Sequence, residues 1–326
     1  MQEQMIKRAK ELLRDGTVDR VMGWKAGEFG YDTTPAVFNT EEELDSEFVY
    51  NTFADANISK YLIKETKKDN KILVFLKPCD SYSLLQLMKE HRVDRTKIYA
   101  IGIECFGKTD TDKIRQKGYS AISDLKDNGT AVGVETIYGD SAEIPKHEIM
   151  AERCLSCKSK KVVVCDEMIG ENGEVVTDCT RFDEVEKLEK MTPEERFEFW
   201  QNELSRCIRC NACRNVCPAC TCENCVFDND NSGVAQKAAA NSFEENMFHI
   251  IRAFHVAGRC TDCGQCSRVC PQHIPLHLLN RKFIKDADEL YGEYRAGEDM
   301  DSKPTLLSFD TDDCEPSIVY ERGGND

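Results

Sequence analysis

The chain repeats one cysteine pattern twice, first as Cys207-Ile208-Arg209-Cys210-Asn211-Ala212-Cys213-Arg214-Asn215-Val216-Cys217-Pro218 and then as Cys260-Thr261-Asp262-Cys263-Gly264-Gln265-Cys266-Ser267-Arg268-Val269-Cys270-Pro271. Each run has the spacing C-x2-C-x2-C-x3-C-P, which is a spacing of thiolate ligands to [4Fe–4S] clusters. Three closely spaced cysteines wrap one cube, and the fourth, before the proline, reaches the other cube. The spacing therefore predicts two clusters, with the ligands Cys207, Cys210, Cys213 and Cys270 for cluster 1 and Cys260, Cys263, Cys266 and Cys217 for cluster 2.

Zinc sites or buried free thiols are the alternative explanation of these two runs. Zinc sites use paired cysteines and rarely add a third and a fourth before a proline, so the pattern favours iron–sulfur clusters. The chain has 18 cysteines, and its first residues form no apolar signal core. Cysteines in such number without a signal peptide indicate metal ligation in a reducing compartment, and we expect a cytoplasmic protein.

Composition and charge exclude several other classes of protein. The 326 residues suffice for two domains, and the formal net charge of -16 argues against a nucleic-acid-binding surface. No apolar run approaches the roughly 18 residues of a membrane span. Glycine-rich phosphate loops and the G-x-S-x-G and H-E-x-x-H motifs do not occur, so the sequence does not indicate hydrolysis or nucleoside triphosphate chemistry.

A second set of cysteines follows the predicted strands of the first half. Residues 71–76 and 98–103 are apolar runs of strand length, with a helical pattern between them, as in a parallel strand–helix–strand unit. Cys79 and Cys105 come directly after these strands, at the sheet edge where parallel sheets place their ligands. With the pair Cys154 and Cys157 they predict a third [4Fe–4S] cluster, cluster 3. The alternative is two buried thiols and a separate zinc knuckle.

Other elements are predicted from periodicity and capping. An amphipathic helix is expected over 2–14, and short strands over 18–24, 130–135 and 162–165. Helices are expected from Pro193, where Thr192 and Glu195 form a capping box, and from Ser242.

Three more cysteines lie between the two repeated runs. Cys220, Cys222 and Cys225 either pack around the first cluster or form an additional metal site, for which Cys179 would be the fourth ligand. The sequence leaves both readings open, because one ligand is missing from the local run.

These elements predict the fold class and its division into domains. We expect an α/β N-terminal domain with a mostly parallel sheet over residues 1–190. A mainly helical ferredoxin domain with two [4Fe–4S] clusters should follow over 191–285. Residues 286–326 are acidic and lack a helical period, which predicts an extended acidic C-terminal tail that docks on a partner subunit.

Several short segments complete the pattern of motifs. They are Lys77-Pro78-Cys79-Asp80, Ile101-Gly102-Ile103-Glu104-Cys105, Cys154-Leu155-Ser156-Cys157, Asp166-Glu167-Met168-Ile169-Gly170, Phe199-Trp200 and His255-Val256-Ala257-Gly258-Arg259-Cys260. Together with the repeated runs, they resemble the β subunit of coenzyme F420-linked hydrogenases and formate dehydrogenases, here fused to a helical dicluster ferredoxin module. The resemblance covers roughly residues 50 to 310, and the second half also resembles the helical ferredoxin of heterodisulfide-reductase partners.

The resemblance implies cofactors beyond the two clusters of the repeated runs. It implies a cluster at Cys79, Cys105, Cys154 and Cys157, and an FAD beside which a two-electron carrier exchanges hydride. Asn51, Asn57 and Lys60, just before the first apolar strand, are the candidate FAD contacts. The chain departs from the family in that no cysteine precedes Cys79.

We therefore expect an iron–sulfur electron-transfer subunit of a multi-subunit oxidoreductase. It would relay electrons between a formate dehydrogenase or hydrogenase type catalytic subunit and a flavin-bearing or heterodisulfide-reductase-like partner. The alternative is a flavoenzyme subunit that itself binds FAD and oxidises or reduces a carrier such as coenzyme F420 or NAD(P)H. A zinc-bound scaffold without redox chemistry is the third hypothesis.

Overall fold

The computed structural model describes residues 1–176, 180–229, 231–232, 242–305 and 308. Its strands are β1 (Arg20–Ala26), β2 (Thr33–Phe38), β3 (Ile72–Leu76), β4 (Ile98–Ile103), β5 (Ile122–Asp127), β6 (Ala131–Thr136), β7 (Ser141–Pro145) and β8 (Glu167–Ile169). Its helices are α1 (Gln2–Arg14), α2 (Glu41–Glu47), α3 (Leu62–Glu65), α4 (Pro78–Lys89), α5 (Thr111–Gln116), α6 (Lys146–Ile149), α7 (Glu152–Leu155), α8 (Asp183–Glu189), α9 (Pro193–Ser205), α10 (Ala212–Val216), α11 (Ser242–Val256), α12 (Gln265–Arg268) and α13 (Leu276–Tyr291). No helix in these ranges is long and apolar enough to cross a membrane.

A five-stranded sheet organises the first half of the chain, in the order β2-β1-β3-β4-β8. Strands β1, β3, β4 and β8 run parallel, and β2 is an antiparallel edge strand. All five residues of β3 are buried, as the apolar run predicted for a strand covered on both faces. The expected mostly parallel sheet is thus confirmed, and the ends of β3 and β4 lie side by side because Leu76 pairs with Gly102.

Helix α1 shows how the sequence pattern places an element on this sheet. Its buried residues, Met5, Ala9 and Leu12, recur at helical spacing and belong to the main core. Gly16 follows with a φ of 74°, a conformation that glycine adopts without a Cβ penalty, and the chain turns into β1. The predicted helix over 2–14 is confirmed.

A small antiparallel sheet, β5-β6-β7, forms a separate layer with its own core around Ile114, Val132 and Ile149. The sequence predicted only its middle strand. Its strands alternate buried and exposed residues, and many of the exposed ones are charged. One sheet face is therefore solvated, which gives a weaker signal than the continuous apolar runs.

The strand expected over 162–165 is wrong. The N–H of Val162 donates to Asn172 Oδ1 at 2.7 Å, and the N–H of Val163 donates to Ser81 Oγ at 3.0 Å. Since these donors bond side chains, they are not available to a strand ladder. The segment that follows residue 161 pairs with β4 at strand β8, between Glu167 and Ile169.

The second half is helical. Helices α9, α11 and α13 pack around Leu204, Phe248 and Leu276, and the cysteines Cys213 and Cys266 lie in the same core. The predicted capping box of α9 is present, because Thr192 Oγ1 accepts the N–H of Glu195 at 3.2 Å and the Glu195 carboxylate accepts the N–H of Thr192 at 2.8 Å.

The helical unit extends beyond both of its predicted borders. Helix α8 contributes Val185 and Leu188 to a cluster with Leu278, so it packs with the helical module although it precedes residue 191. At the other end, α13 continues through the expected tail start at 286 to Tyr291. Periodicity could not place these borders, because a helix that joins a neighbouring module carries no local sign of where that module begins.

The segment after α13 packs on its own chain. The Arg295 guanidinium lies 4.1 Å from the ring centroid of Tyr82, and Lys89 donates to the carbonyl of Ser302 at 2.6 Å. A Cβ at Gly297 would collide with the carbonyl of Tyr82, which explains a glycine there. The start of the predicted tail therefore covers α4, while residues 306–307 and 309–326, including the rest of the predicted docking tail, lie outside the described residues.

Candidate iron–sulfur centres

Four cysteines meet at the carboxyl edge of the main sheet; we call this set the sheet-edge site, and it comprises Cys79, Cys105, Cys154 and Cys157. Burial raises the pKa of Cys79 well above its usual value, and the charges of Cys105 and Cys157 add to the shift. Burial likewise raises the pKa of Cys157 to about 11, with contributions from Cys154 and Cys105. The Cys79 thiol thus lies within electrostatic reach of Cys105 and Cys157, and the Cys157 thiol lies within reach of Cys154 and Cys105.

Two lysines and one arginine surround the sheet-edge site. Lys77 Nζ lies 2.7 Å from Asp80 Oδ2 and stands over the ring of Trp24. Arg153, between the thiols of Cys154 and Cys79, pairs with the Asp55 carboxylate at 3.0 Å. These two cations are therefore matched by buried carboxylates.

The third cation, Lys108, has a carbonyl as its hydrogen-bond acceptor. Its Nζ donates to the carbonyl of Asn51 at 2.9 Å and lies 4.0 Å from the ring centroid of Tyr50. Burial lowers the pKa of Lys108 to about 8, although the thiol charges of Cys105 and Cys154 oppose that shift. Lys108 belongs to no sequence motif, because only its spacing from Cys105 connects it to the site.

The predicted ligands of cluster 1 line one cavity. Cys207, Cys210, Cys213 and Cys270 surround it together with Phe248 and His249 of α11. Burial raises the pKa of Cys213 to about 12. His249 Nε2 lies 3.2 Å from Cys207 Sγ, and burial and two nearby arginines lower the pKa of His249 to about 3, so this imidazole is neutral.

The predicted ligands of cluster 2 also face one another. Burial raises the pKa of Cys263 to about 12, and the charges of Cys217 and Cys266 act on it. Cys260 experiences the charges of Cys217 and Cys263 in the same way. The fourth cysteine of the first run thus reaches the three cysteines of the second run, which is the exchange that the spacing predicts.

Both cysteine loops have the same backbone conformation at equivalent positions. Arg209 and Asp262, the residues before the second cysteine of each run, have φ values of 55°. Asn211 and Gly264, the residues after it, have φ values of 61° and 66°. Two left-handed residues in a short loop turn backbone N–H groups toward a common centre, a conformation suited to an anionic group.

Arg252 of α11 lies between the two thiol sets of the module. It is 1 % exposed, no oxygen or nitrogen of the described residues accepts from its three guanidinium nitrogens, and its hydrogen bond goes to the thiol of Cys266. Burial alone would lower its pKa, but the thiols of Cys266, Cys213, Cys217 and Cys220 raise it above its ordinary value. The Arg252 guanidinium is therefore surrounded by cysteine thiols from both cysteine sets of the module.

The three sites follow one another through the protein. Cys213 of the first set and Cys266 of the second lie within electrostatic reach. On the other side, Cys263 shares a cavity with Cys79, Cys154 and Cys157 of the sheet-edge site. The second set thus lies between the first set and the sheet edge.

Hydrogen bonds across the two halves hold this order. Asp55 Oδ2 accepts from Arg268 at 2.6 Å as well as from Arg153, and its carbonyl accepts from Gln265 Nε2 at 2.9 Å. Lys60 Nζ donates to the carbonyls of Arg214 and Cys220 at 3.0 and 2.9 Å. Asp55 thus binds side chains of the second cysteine run, and Lys60 binds backbone carbonyls in the first run and just after it.

The donor sets suit iron–sulfur clusters. Each set consists of thiols, the ligands of [4Fe–4S] clusters, and the buried guanidinium of Arg252 needs the anionic acceptor that such clusters present. Within the described ranges, no three Cys, His, Asp or Glu side chains close on a single metal ion.

The structure does not bring the additional cysteines into one set. Cys220 forms a hydrogen bond with Cys217 that lowers the pKa of the Cys217 thiol to about 6. Cys222 is exposed, and Cys225 packs in the core of the helical module beside Arg214. Cys179, the proposed fourth ligand, lies outside the described residues.

The three candidate FAD contacts have internal roles. Asn57 is fully buried and donates to Ser83 Oγ at 2.9 Å, and Lys60 bonds the two carbonyls already described. Asn51 Nδ2 donates to the carbonyl of Gly30 at 3.2 Å, and its Oδ1 accepts the N–H of Phe53. These bonds make each side chain part of the fold around the sheet-edge site.

A large open cleft lies elsewhere, between helix α5 with the loop that joins β1 and β2 on one side and the helical module on the other. Its volume is about 820 Å³, and none of Asn51, Asn57 and Lys60 lines it. Phe29 and Tyr31 stack in its wall, with ring centroids 5.3 Å apart and planes 9° from parallel. The cleft also contacts ligands or neighbours of two predicted clusters, because its lining includes Cys270 and Arg153.

Comparisons with known proteins find a dicluster domain in the second half and similar subunits over most of the chain. Residues 203–274 match the family described as the 4Fe-4S dicluster domain. The chain is 27% identical to the F420-dependent formate dehydrogenase subunit beta of Methanocaldococcus jannaschii, over 92% of this chain and 93% of that protein. It is 25% identical to the F420-dependent formate dehydrogenase 1 subunit beta of Methanococcus maripaludis, over 91% of each chain.

A solved structure gives a weaker match. A chain in the xenon-derivatised F420-reducing [NiFe] hydrogenase complex of Methanosarcina barkeri aligns with 58% of this chain and 76% of that one. The identity is 13% and the TM-score is 0.37. The family resemblance inferred from the sequence is confirmed by the dicluster family and by the two formate dehydrogenase subunits.

Proposed function

We propose that this β-subunit-like chain relays electrons through three [4Fe–4S] clusters within a formate dehydrogenase type complex. The order of the thiol sets is the observation that supports this proposal. It runs from the cavity at Cys207, through the set around Cys263, to the sheet edge at Cys79. The proposed ligands are Cys207, Cys210, Cys213 and Cys270 for cluster 1; Cys260, Cys263, Cys266 and Cys217 for cluster 2; and Cys79, Cys105, Cys154 and Cys157 for cluster 3.

When bound, the clusters supply one-electron acceptors and donors. The residues of this chain would hold them, and the buried cysteines Cys213, Cys217 and Cys266 would shield clusters 1 and 2 from part of the solvent. They also supply cations near each set, namely Arg252 in the module and Lys77, Lys108 and Arg153 at the sheet edge. We assign no cluster to Cys220, Cys222 and Cys225, because their surroundings differ.

The names of the similar relatives support the choice of partners. Both are beta subunits of F420-dependent formate dehydrogenases. We therefore propose a formate dehydrogenase type catalytic subunit as one partner and a flavin-bearing or heterodisulfide-reductase-like subunit as the other. Co-purification of the native complex, with identification of the accompanying subunits, tests this choice directly.

Iron and acid-labile sulfide analysis of the anaerobically purified chain tests the number of clusters. Three cubes require about twelve irons and about twelve sulfides per chain. A content of about eight irons would remove the sheet-edge cluster and shorten the relay, and zinc in place of iron would reject electron transfer altogether.

A second function is favoured by the cleft beside the module. Its volume of about 820 Å³ falls in the range of cofactor sites, and its wall carries the stacked rings of Phe29 and Tyr31. An FAD held there would exchange a pair of electrons with a carrier such as coenzyme F420. Phe29, Tyr31 and Arg115 are the lining residues that would hold it.

Denaturing the native protein and analysing the supernatant for released FAD separates the two functions. Stoichiometric FAD supports a flavoenzyme subunit with its own hydride site. Full iron loading without flavin supports a chain that only relays electrons.

A further inference from the structure

We propose that Arg252 is a shared hydrogen-bond donor to clusters 1 and 2, and that its charge raises the midpoint potentials of both. This inference rests on the proposed function, because it concerns the two clusters of the ferredoxin module. It deepens that function by naming the residue that sets their potentials together.

The first reason is the burial of Arg252 without a carboxylate or carbonyl acceptor. The residue is 1 % exposed, and no oxygen or nitrogen in the described part of the chain accepts from its guanidinium; its hydrogen bond goes to the thiol of Cys266, a proposed cluster 2 ligand. A guanidinium stays charged in proteins, and burying a charge without an acceptor costs several kcal/mol. The position therefore requires an anionic group that approaches the guanidinium.

The second reason is the position of Arg252 between the thiol sets. Its charge acts most strongly on Cys266 of cluster 2 and Cys213 of cluster 1, and next on Cys217 of cluster 2. His249, one turn earlier on α11, faces Cys207 of cluster 1. Helix α11 thus directs polar side chains at the predicted clusters, and Arg252 is the one placed to reach both.

The third reason is the contrast with other arginines near the cysteine loops. Four of them meet a carboxylate: Arg259 pairs with Glu90, Arg268 with Asp55, and Arg181 and Arg281 with Asp262. Their charges are neutralised by protein groups. The charge of Arg252 remains to be balanced by the clusters themselves.

The expected effect on the midpoint potentials follows from the positive charge of Arg252. Reduction adds one electron to an anionic cluster, converting one ferric ion to a ferrous ion, and no proton leaves the guanidinium. A nearby cation and N–H donors to the cluster sulfurs stabilise the reduced state more than the oxidised state. Because one residue serves both clusters, its loss should lower both potentials.

An EPR-monitored redox titration of the anaerobically purified full chain tests the proposal. In Arg252→Gln, the ratio of reduced to oxidised cluster at a fixed potential should fall about tenfold for clusters 1 and 2, a shift of about 59 mV. The sheet-edge cluster should keep its potential. Arg252→Lys retains the charge but loses the planar fork, so we expect a smaller shift in the same direction.

Arg206→Gln is the matched control, because Arg206 precedes Cys207 directly but is half exposed and pairs with Glu203. The cluster potentials of the Arg206→Gln protein should equal those of the native protein.

Unchanged potentials in an iron-replete Arg252→Gln protein would overturn the proposal, as would a shift confined to one cluster. If the Arg252→Gln protein loses iron, the Arg252→Lys protein tests the proposal instead. A folded Arg252→Lys chain that also loses both clusters would show that Arg252 is a packing residue, and it would overturn the effect on the potentials. Failure of the proposed function would show differently, as native protein without the iron of these two clusters.

Discussion

The sheet-edge site and the ferredoxin module gather cysteines from different distances along the chain. Both place cations beside the cysteines, but the cations are paired differently. In the module, local loops supply most ligands, and a buried arginine without a carboxylate partner lies between the two sets. At the sheet edge, two strand ends and a distant pair supply the ligands, and Lys77 and Arg153 are matched by Asp80 and Asp55. The difference is that protein carboxylates balance the charges of Lys77 and Arg153 at the sheet edge, whereas we propose that Arg252 in the module acts on two clusters at once.

Removal of single ligands gives the largest expected effect. Cys79→Ser should remove about four of about twelve irons per chain and leave clusters 1 and 2 intact, because the sheet-edge ligands are separate from those of the module. Iron analysis and EPR of the reduced protein measure this. Cys165→Ser is the matched control, since Cys165 lies near the same sheet but outside the set; loss of iron there would show that the wrong thiols were assigned.

Removal of a matching carboxylate should affect the sheet edge strongly. Asp55→Asn leaves Arg153 buried without its carboxylate, which should destabilise the protein by about 3 kcal/mol. The freed charge should also raise the potential of the sheet-edge cluster. Urea unfolding and the redox titration measure the two effects. Asp45→Asn, which breaks the exposed pair with Lys10, should change neither, and equal effects of both substitutions would contradict the role given to Asp55.

The contact between the two regions should respond to loss of Lys60. Its Nζ bonds the carbonyls of Arg214 and Cys220, so Lys60→Met should destabilise the chain by about 1–3 kcal/mol. Limited proteolysis between the domains and urea unfolding report the effect. Lys67→Met is the control, because Lys67 also reaches the module, at Glu223, through an exposed pair. Equal stability of the two variants would mean that Lys60 does not join the domains.

The pH dependence of the potentials gives the smallest expected effect. Lys108, beside Cys105, Cys154, Lys77 and Asp55, has a pKa lowered by burial to about 8, so it loses its charge as the pH rises through that value. The potential of the sheet-edge cluster should therefore fall above about pH 8, by less than about 59 mV per pH unit. The potentials of clusters 1 and 2 should stay constant, because Arg252 remains protonated.

Lys108→Arg separates charge from titration in this experiment. The variant keeps a cation near the sheet-edge site, so the potential should no longer change between pH 7 and 10. A slope that persists in this variant would assign the titration to another group.

The same comparison shows what could be predicted from the sequence. The ligands of clusters 1 and 2 lie at fixed local spacing, and those of the sheet edge follow from the rule that neighbouring parallel strands end side by side. Both kinds of information are present in the residues themselves. The parallel sheet and the capped helix α9 were predicted for similar reasons.

The charges of the sites were not predicted. Arg252 lies on a helix without a motif, and its cysteine neighbours come from two separate segments, 213–220 and the run at Cys266. Asp55 and Arg153 lie 98 positions apart in the chain and meet only when the α/β domain folds. The one available signal for Arg252 was a lone arginine among Phe248, Ile251 and Phe254 of α11, which periodicity alone assigns to neither core nor site.

Quantitative EPR of the fully reduced chain tests the central claim most directly. Three reduced [4Fe–4S] clusters in succession should integrate to about three unpaired spins per chain, with signals broadened because neighbouring clusters interact magnetically. Cys79→Ser should lower the integral to about two spins and leave the broadening within the module. Sharp, independent signals, or about two spins in the native chain, would contradict a continuous relay from the ferredoxin module to the sheet edge.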